Sequence, residues 1–252
     1  VFRQLMELQG KKWLLSYPKM LRKIIGKIAT ANKQDIAAQK KRQILMLDYF
    51  DLHYAYPVSR QSFNDEQILS FTDSNKLYRN RVSEIVEEQV SFGKEGFSIP
   101  YLGKASIAEI STYMQNVLLR DSDSMSMAHA LEVRVPFLDH KLVEFVLQVE
   151  DGFKLKSSPK ALLTESLGDL LPSEIVHRPK MGFVFPWEHW LKGELKDFAE
   201  ENLKYLGQQS YFNEGRLMKV WKDFLQNKPG ISWSRIWSLV VLGYWIRRNL
   251  EN

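Results

Sequence analysis

The sequence predicts a mainly α-helical fold. Apolar residues recur at three- and four-residue spacing through most of its 252 residues, and no long run of alternating β-branched residues appears. Gly and Pro concentrate in one stretch, residues 91–103, with Gly93, Gly96, Pro100 and Gly103, which reads as a loop. That loop divides a basic helical section, residues 1–103, from a second section, residues 104–252, that carries the motifs.

Taken in order, residues 2–28 read as helix, interrupted at Pro18. Residues 34–52 form another helix, and residues 57–62 a turn. Asp65 and Glu66 followed by Ile68, Leu69 and Phe71 predict a short helix, and Leu77, Val82, Ile85, Val86 and Val90 a ragged helical face. Helices follow at residues 106–119, 121–131, 159–170, 187–191, 195–203, 214–225 and 233–248. The tryptophans at 187, 190, 233, 237 and 245 read as core.

Composition narrows the classes of function. Apolar residues at 44% and charged residues at 26% are ordinary globular values. With no cysteine, the chain itself can supply no disulfide, thiolate metal site or cysteine nucleophile. Its five histidines are scattered and no metal site is expected. The longest strongly apolar run, residues 236–246, is too short to span a bilayer and reads as a buried helix. No signal-peptide pattern is present, so the expected location is the cytoplasm, with no membrane partner. The net charge of +5 is uneven: residues 1–60 hold 12 Lys and Arg against four Asp and Glu. These lysines interleave with Leu14, Leu15, Met20, Leu21, Ile24, Ile25 and Ile28 as on amphipathic surface helices, so no nucleic-acid partner is expected.

The most informative stretch is residues 118–145. Arg120, Asp121, Asp123, Ser124, His129, Glu132, Arg134 and Asp139 alternate there with Met125, Met127, Leu131, Val133, Val135, Phe137 and Leu138. A half-buried segment is expected, and burying such charges is costly unless they pair or bind something. Pro136 disfavours helix at Val135, so residues 131–135 should be extended, with Glu132 and Arg134 on one side. Asp139 can cap a following helix whose inward face is Leu142, Val143, Phe145 and Val146. The Glu132 and Arg134 pair is open to two readings, a structural ion pair or a functional site. A second stretch, Arg178-Pro-Lys-Met-Gly-Phe183, sets cations on a loop where Pro179 fixes one backbone angle and Gly182 lets another group approach. It suits a polyphosphate.

Asp123, Met-Ser-Met-Ala at 125–128 and Leu-Glu-Val-Arg-Val-Pro-Phe-Leu-Asp at 131–139 resemble the signature of glutamine-hydrolysing asparagine synthetases, in the C-terminal part of their synthetase domain. Residues 171–187, Leu-Pro-Ser-Glu-Ile-Val-His-Arg-Pro-Lys-Met-Gly-Phe-Val-Phe-Pro-Trp, resemble the next block of that family, in the same order and at about the same spacing. The resemblance runs from Tyr113 to Trp190. Ser124 departs from it, since arginine is common there.

The resemblance implies the C-terminal helical portion of an α/β adenine-nucleotide α-hydrolase-like (ATP-pyrophosphatase) domain. It implies conversion of aspartate, ATP and glutamine to asparagine, AMP, pyrophosphate and glutamate through a β-aspartyl adenylate. Lys180, with Arg178, would meet the phosphates of ATP and the leaving pyrophosphate. Glu132 would assist the amine step, as in related carboxylate-adenylating enzymes such as β-lactam synthetase. Asp123, Met125 and Arg134 would line the substrate site. ATP and Mg2+ are expected as substrates of a full-length enzyme, with nothing held tightly by this chain.

The family's Ser-Gly-Gly-x-Asp-Ser and Ser-Gly-x-Gly-x-Asp-Glu segments do not occur in these 252 residues. The expectation is therefore a C-terminal fragment, inactive alone, whose partners are the missing N-terminal synthetase and glutaminase segments. Apolar faces uncovered by their absence could drive homo-oligomerisation. An amidotransferase acting on a peptide or saccharide carboxylate, and a non-catalytic helical scaffold, are the alternatives.

Overall fold

The computed structural model describes residues 5, 10–30, 36–73, 80–91, 99–155, 160–179, 181–182 and 185–250. They form helices, with no strand among them; one isolated antiparallel bridge joins Thr72 to Phe212. None of these helices is long and apolar enough to cross a membrane. The chain divides into two compact units. One comprises residues 1–10, 51–57 and 80–182, the other residues 11–50, 58–79 and 183–252.

The second unit is built on three helices, Lys196–Gly207, Glu214–Leu225 and Trp233–Asn249. Leu203, Leu206, Leu217, Trp221, Phe224, Ile236, Leu239 and Val240 form their shared core, joined by Phe71 and Leu191. Full burial of side chains this size stabilises by about 1.5–3 kcal/mol each. Two glycines set the spacing. A Cβ on Gly243 would lie 2.3 Å from the Asn202 carbonyl oxygen, and one on Gly207 would lie 2.5 Å from Glu214 Cα. Only glycine lets these backbones approach so closely.

Helix starts follow side-chain caps. Asn64 and Gln67 form a reciprocal capping box at helix Asp65–Phe71, and Asn213 and Ser232 accept the Arg216 and Arg235 amides. Arg235 is buried. Its Nε donates to Ser62 O at 2.5 Å, its guanidinium also donates to Gln39 Oε1 at 3.0 Å and to Gly230 O, and burial lowers its pKa. One buried cation thus ties the C-terminal helix to helix Ile36–Leu45 and to the loop before Asp65.

In the first unit, helix Tyr101–Glu109 continues into a π-helical stretch, Ile110–Leu119, and then into helix Arg120–Met127. Asp151 accepts the Leu102 amide through both carboxylate oxygens, at 3.1 and 3.2 Å. A carboxylate from elsewhere in the chain thus caps this rod at its positive end. Buried Tyr56 donates to Thr112 Oγ1 at 2.7 Å, and Thr112 donates onward to Ala108 O at 2.5 Å.

Several expectations are corrected. Gly103 does not end a loop: it is buried inside Tyr101–Glu109, where a Cβ would lie 2.7 Å from the Leu147 carbonyl oxygen. Pro57 is not a turn but lies inside helix Leu52–Arg60, because burial of Ala55 and Tyr56 outweighs the lost backbone bond. Residues 34–52 are not one helix, since Ile36–Leu45 ends before Leu52 begins the next. Trp245 and Trp233 are exposed, because the C-terminal helix buries Ile236, Leu239, Val240 and Gly243 and turns Trp245 outward.

Candidate functional site

The first motif block owes its shape to the helix before it. Ser111 and Thr112 return hydrogen bonds to the carbonyls of Ile107 and Ala108, and Asn116 Nδ2 donates to Thr112 O at 2.8 Å. Such side chains compete with the regular backbone ladder, and they coincide with the wide π-helical winding of residues 110–119. The helix then stops after Met127. The Leu131 amide folds back to Ser126 O at 3.0 Å, which places Ala130 in the left-handed region at φ 53°. Ala at that position is strained, since glycine is the usual occupant.

Beyond this reversal residues 131–135 belong to neither helix nor strand. Arg134 Nε donates to Glu132 Oε1 at 3.0 Å, with the side chains 86% and 73% exposed respectively. Pro136–Leu138 forms one 3₁₀ turn, and Asp139 caps helix His140–Gln148 by accepting the Lys141 and Leu142 amides at 3.0 and 3.2 Å.

The expected half-burial does not hold among the described residues. Helix Arg120–Met127 buries no residue, and Met125 and Phe137 are 72% and 61% exposed. Leu142 and Phe145, read as inward, face outward, whereas Val143, Val146 and Leu147 are half-buried. The apolar residues of the motif keep helical and extended spacing, but no described residue supplies a surface for them.

Near the start of the second block Pro172 precedes helix Ser173–Val176, and His177 Nδ1 lies 2.8 Å from Ser173 O where the helix ends. Arg178 is exposed and makes no hydrogen bond or ion pair with a described residue. Lys180 lies outside the described residues. Gly182 has nothing within 4 Å of where a Cβ would stand, so a group can approach its backbone there.

Among the described candidate residues, only Glu132 and Arg134 are brought into contact. Asp123, Met125 and Arg178 stay separate, and no hydrogen bond or ion pair joins residues 120–139 to residues 172–182 among the described residues. Close by, Lys154 donates toward Leu147 O at 3.4 Å; burial lowers its pKa, and Asp151 partly opposes the shift. No group of three or more His, Asp or Glu poised to hold a metal ion occurs among the described residues.

Sequence reasoning missed a set of charged residues in the second unit. Lys23, Lys27 and Arg42 line a cleft with Asp65 and Glu66, at helix spacings that were visible but were read only as amphipathic surface.

Residues 10–247 match the asparagine synthase family. The chain belongs to this family. A mainly helical structure, with no strand among the described residues, is consistent with the C-terminal helical portion of its synthetase domain. Glutamine-hydrolysing asparagine synthetase 1 of Bacillus subtilis (strain 168) is 27% identical over 187 residues, covering 74% of this chain and 28% of that protein. Asparagine synthetase 3 of the same organism is 44% identical over 69 residues, or 27% of this chain and 11% of the relative. Amidase chry2 of Gibberella zeae is 27% identical over 139 residues, covering 50% of this chain and 21% of that protein. The matched stretches thus span between about a tenth and little more than a quarter of the length of these relatives. No solved structure matches it significantly.

Proposed function

We propose that this chain is part of an ATP-dependent amidotransferase that activates a carboxylate as its adenylate and transfers nitrogen to it, with aspartate as the acceptor and glutamine as the nitrogen source. The observation that carries this reading is the family match over residues 10–247, within which both motif blocks stand in order. ATP enters with its Mg2+ as a substrate. Lys180 and Arg178, in a segment whose Gly182 leaves open space beside its backbone, bind the polyphosphate and balance the charge that develops on pyrophosphate. The amine that attacks the adenylate must lose a proton. Glu132, solvent-accessible and held beside Arg134, accepts or steers it. Asp123, Met125 and Arg134 line the acceptor site.

The open face of the first motif supports a further element of the reading: the reaction needs the nucleotide loop and the glutaminase, neither of whose signatures is present in these residues. Pyrophosphate release from ATP and aspartate by these 252 residues alone should be undetectable. A robust rate from them, abolished by Lys180→Ala, would overturn this part of the proposal. In the polypeptide from the complete reading frame, aspartate-dependent release is expected, with a loss of about a hundredfold or more on Lys180→Ala. Release that ignores aspartate but responds to a peptide or saccharide carboxylate would instead assign another acceptor. The match to proteins named amidases gives that second reading its place.

A further inference from the structure

The motif helix Arg120–Met127 has no anchor of its own, since none of its residues is buried. Its direction is therefore set by the rod it continues, residues 101–119, whose last buried residue is Thr112. Thr112 lies near the start of the π-helical stretch Ile110–Leu119. A π turn takes about one residue more than an α turn, so the 10 residues of this stretch turn the following helix by about half a turn relative to a continuous α-helix. Asp123 and Met125, two residues apart, stand about 200° from each other around their helix. Half a turn would nearly exchange their directions.

The hydrogen bonds show what favours the wide winding. Ser111 and Asn116 donate within the rod, to Ile107 O at 2.7 Å and Thr112 O at 2.8 Å. Thr112 is also tied to another element: the phenol of Tyr56, fully buried in helix Leu52–Arg60, lies 2.7 Å from its Oγ1. A hydroxyl carries one proton. With Tyr56 donating, the Thr112 proton is left for Ala108 O, which it reaches at 2.5 Å. That carbonyl is the one the Thr112 backbone amide would use in an α-helix, so the side chain competes with α winding at the first turn of the π stretch.

We propose that Tyr56 and Thr112 are positioning residues for amidation: their buried hydrogen bond holds the π winding and so fixes which way Asp123 and Met125 point at the acceptor carboxylate. The kinetic consequence rests on the amidation reading, whereas the winding itself does not. Both residues lie outside the two motif blocks and act through the helix, not on the acceptor.

Two measurements test this. The 252 residues contain no cysteine, so nitroxide labels on Lys104→Cys and Ser122→Cys report the length of the rod across the π stretch by pulsed electron resonance. Thr112→Val and Tyr56→Phe should each move the label distance longer, because the same residues rise further when each turn holds fewer of them. Thr112→Ser, which keeps the hydroxyl, should leave it unchanged. In the polypeptide from the complete reading frame, Thr112→Val and Tyr56→Phe should raise KM for the acceptor about tenfold or more with KM for ATP unchanged, and Thr112→Ser should match the wild type. Leu52→Ala, buried on the same helix as Tyr56, should lower Tm yet leave the label distance and the acceptor KM unchanged. An unchanged distance in Thr112→Val and Tyr56→Phe, a longer rod with the acceptor KM unmoved, or an equal rise in that KM in Leu52→Ala would overturn the assignment. A wild-type polypeptide that amidates no acceptor would refute the amidation reading by itself, while the label distances still decide whether the Tyr56–Thr112 bond holds the winding.

Discussion

Gly243→Ala tests whether the close crossing of helices Lys196–Gly207 and Trp233–Asn249 organises the second unit. The added Cβ would lie 2.3 Å from the Asn202 carbonyl oxygen and 3.2 Å from Leu206 Cβ. The oxygen is helix backbone and cannot rotate away, so the helices must part. Overpacking of this kind costs about 1–3 kcal/mol, occasionally more, because interiors are close-packed. Replacing a helical glycine with alanine returns up to about 1 kcal/mol. At the upper end of that range, which a 2.3 Å approach to helix backbone demands, the net loss is about 2 kcal/mol, and it lowers Tm by about 4–8 °C in a protein of this size. All seven tryptophans lie in the second unit, so thermal unfolding followed by intrinsic fluorescence reports on it selectively. Gly215→Ala is the control. It is exposed, its nearest neighbour to a new Cβ is Asn213 Oδ1 at 3.6 Å, and its Tm should hold or rise. A Gly243→Ala protein as stable as the wild type would refute the crossing.

Further outcomes follow from single residues. Glu132→Gln should change stability by less than about 1 kcal/mol, since an exposed ion pair contributes little. If Glu132 serves the amine step, the same variant should slow amidation by more than about tenfold while sparing ATP–pyrophosphate exchange; equal effects on both would remove that role. Ala130→Gly, at φ 53°, should raise Tm by relieving about 1 kcal/mol of left-handed strain, and a fall in circular-dichroism melts would contradict the reversal after Met127. Lys40, whose Nζ donates to Ser59 O at 2.7 Å, has its pKa lowered by burial and then by Arg235 and Arg60. In the window just below its ordinary value of 10.5 the unfolded chain binds more protons, so stability rises with pH there. Wild type should therefore gain on Lys40→Gln as pH approaches 10.5 in paired denaturant titrations; a constant gap would exclude the shift.

The sequence by itself determined the helical class, the family blocks and much of the local geometry. Helix Glu214–Leu225 falls where its periodicity places it, Asp139 caps the next helix, and the alternation about Pro136 sets Glu132 beside Arg134. These features depend on contacts within a few residues, which local patterns encode. Tertiary structure decided the rest. Gly103 and Gly243 are packing residues because of what crosses them, Pro57 stays helical because Ala55 and Tyr56 are buried, and Arg235 is buried because Ser62, Gln39 and Gly230 converge on it. The motif's apolar residues looked half-buried because spacing reveals that a face is apolar but not whether anything covers it. Whether Lys23 and Asp65 line one cleft is likewise set by how helices far apart in the chain pack, and no local pattern of residues carries that distance.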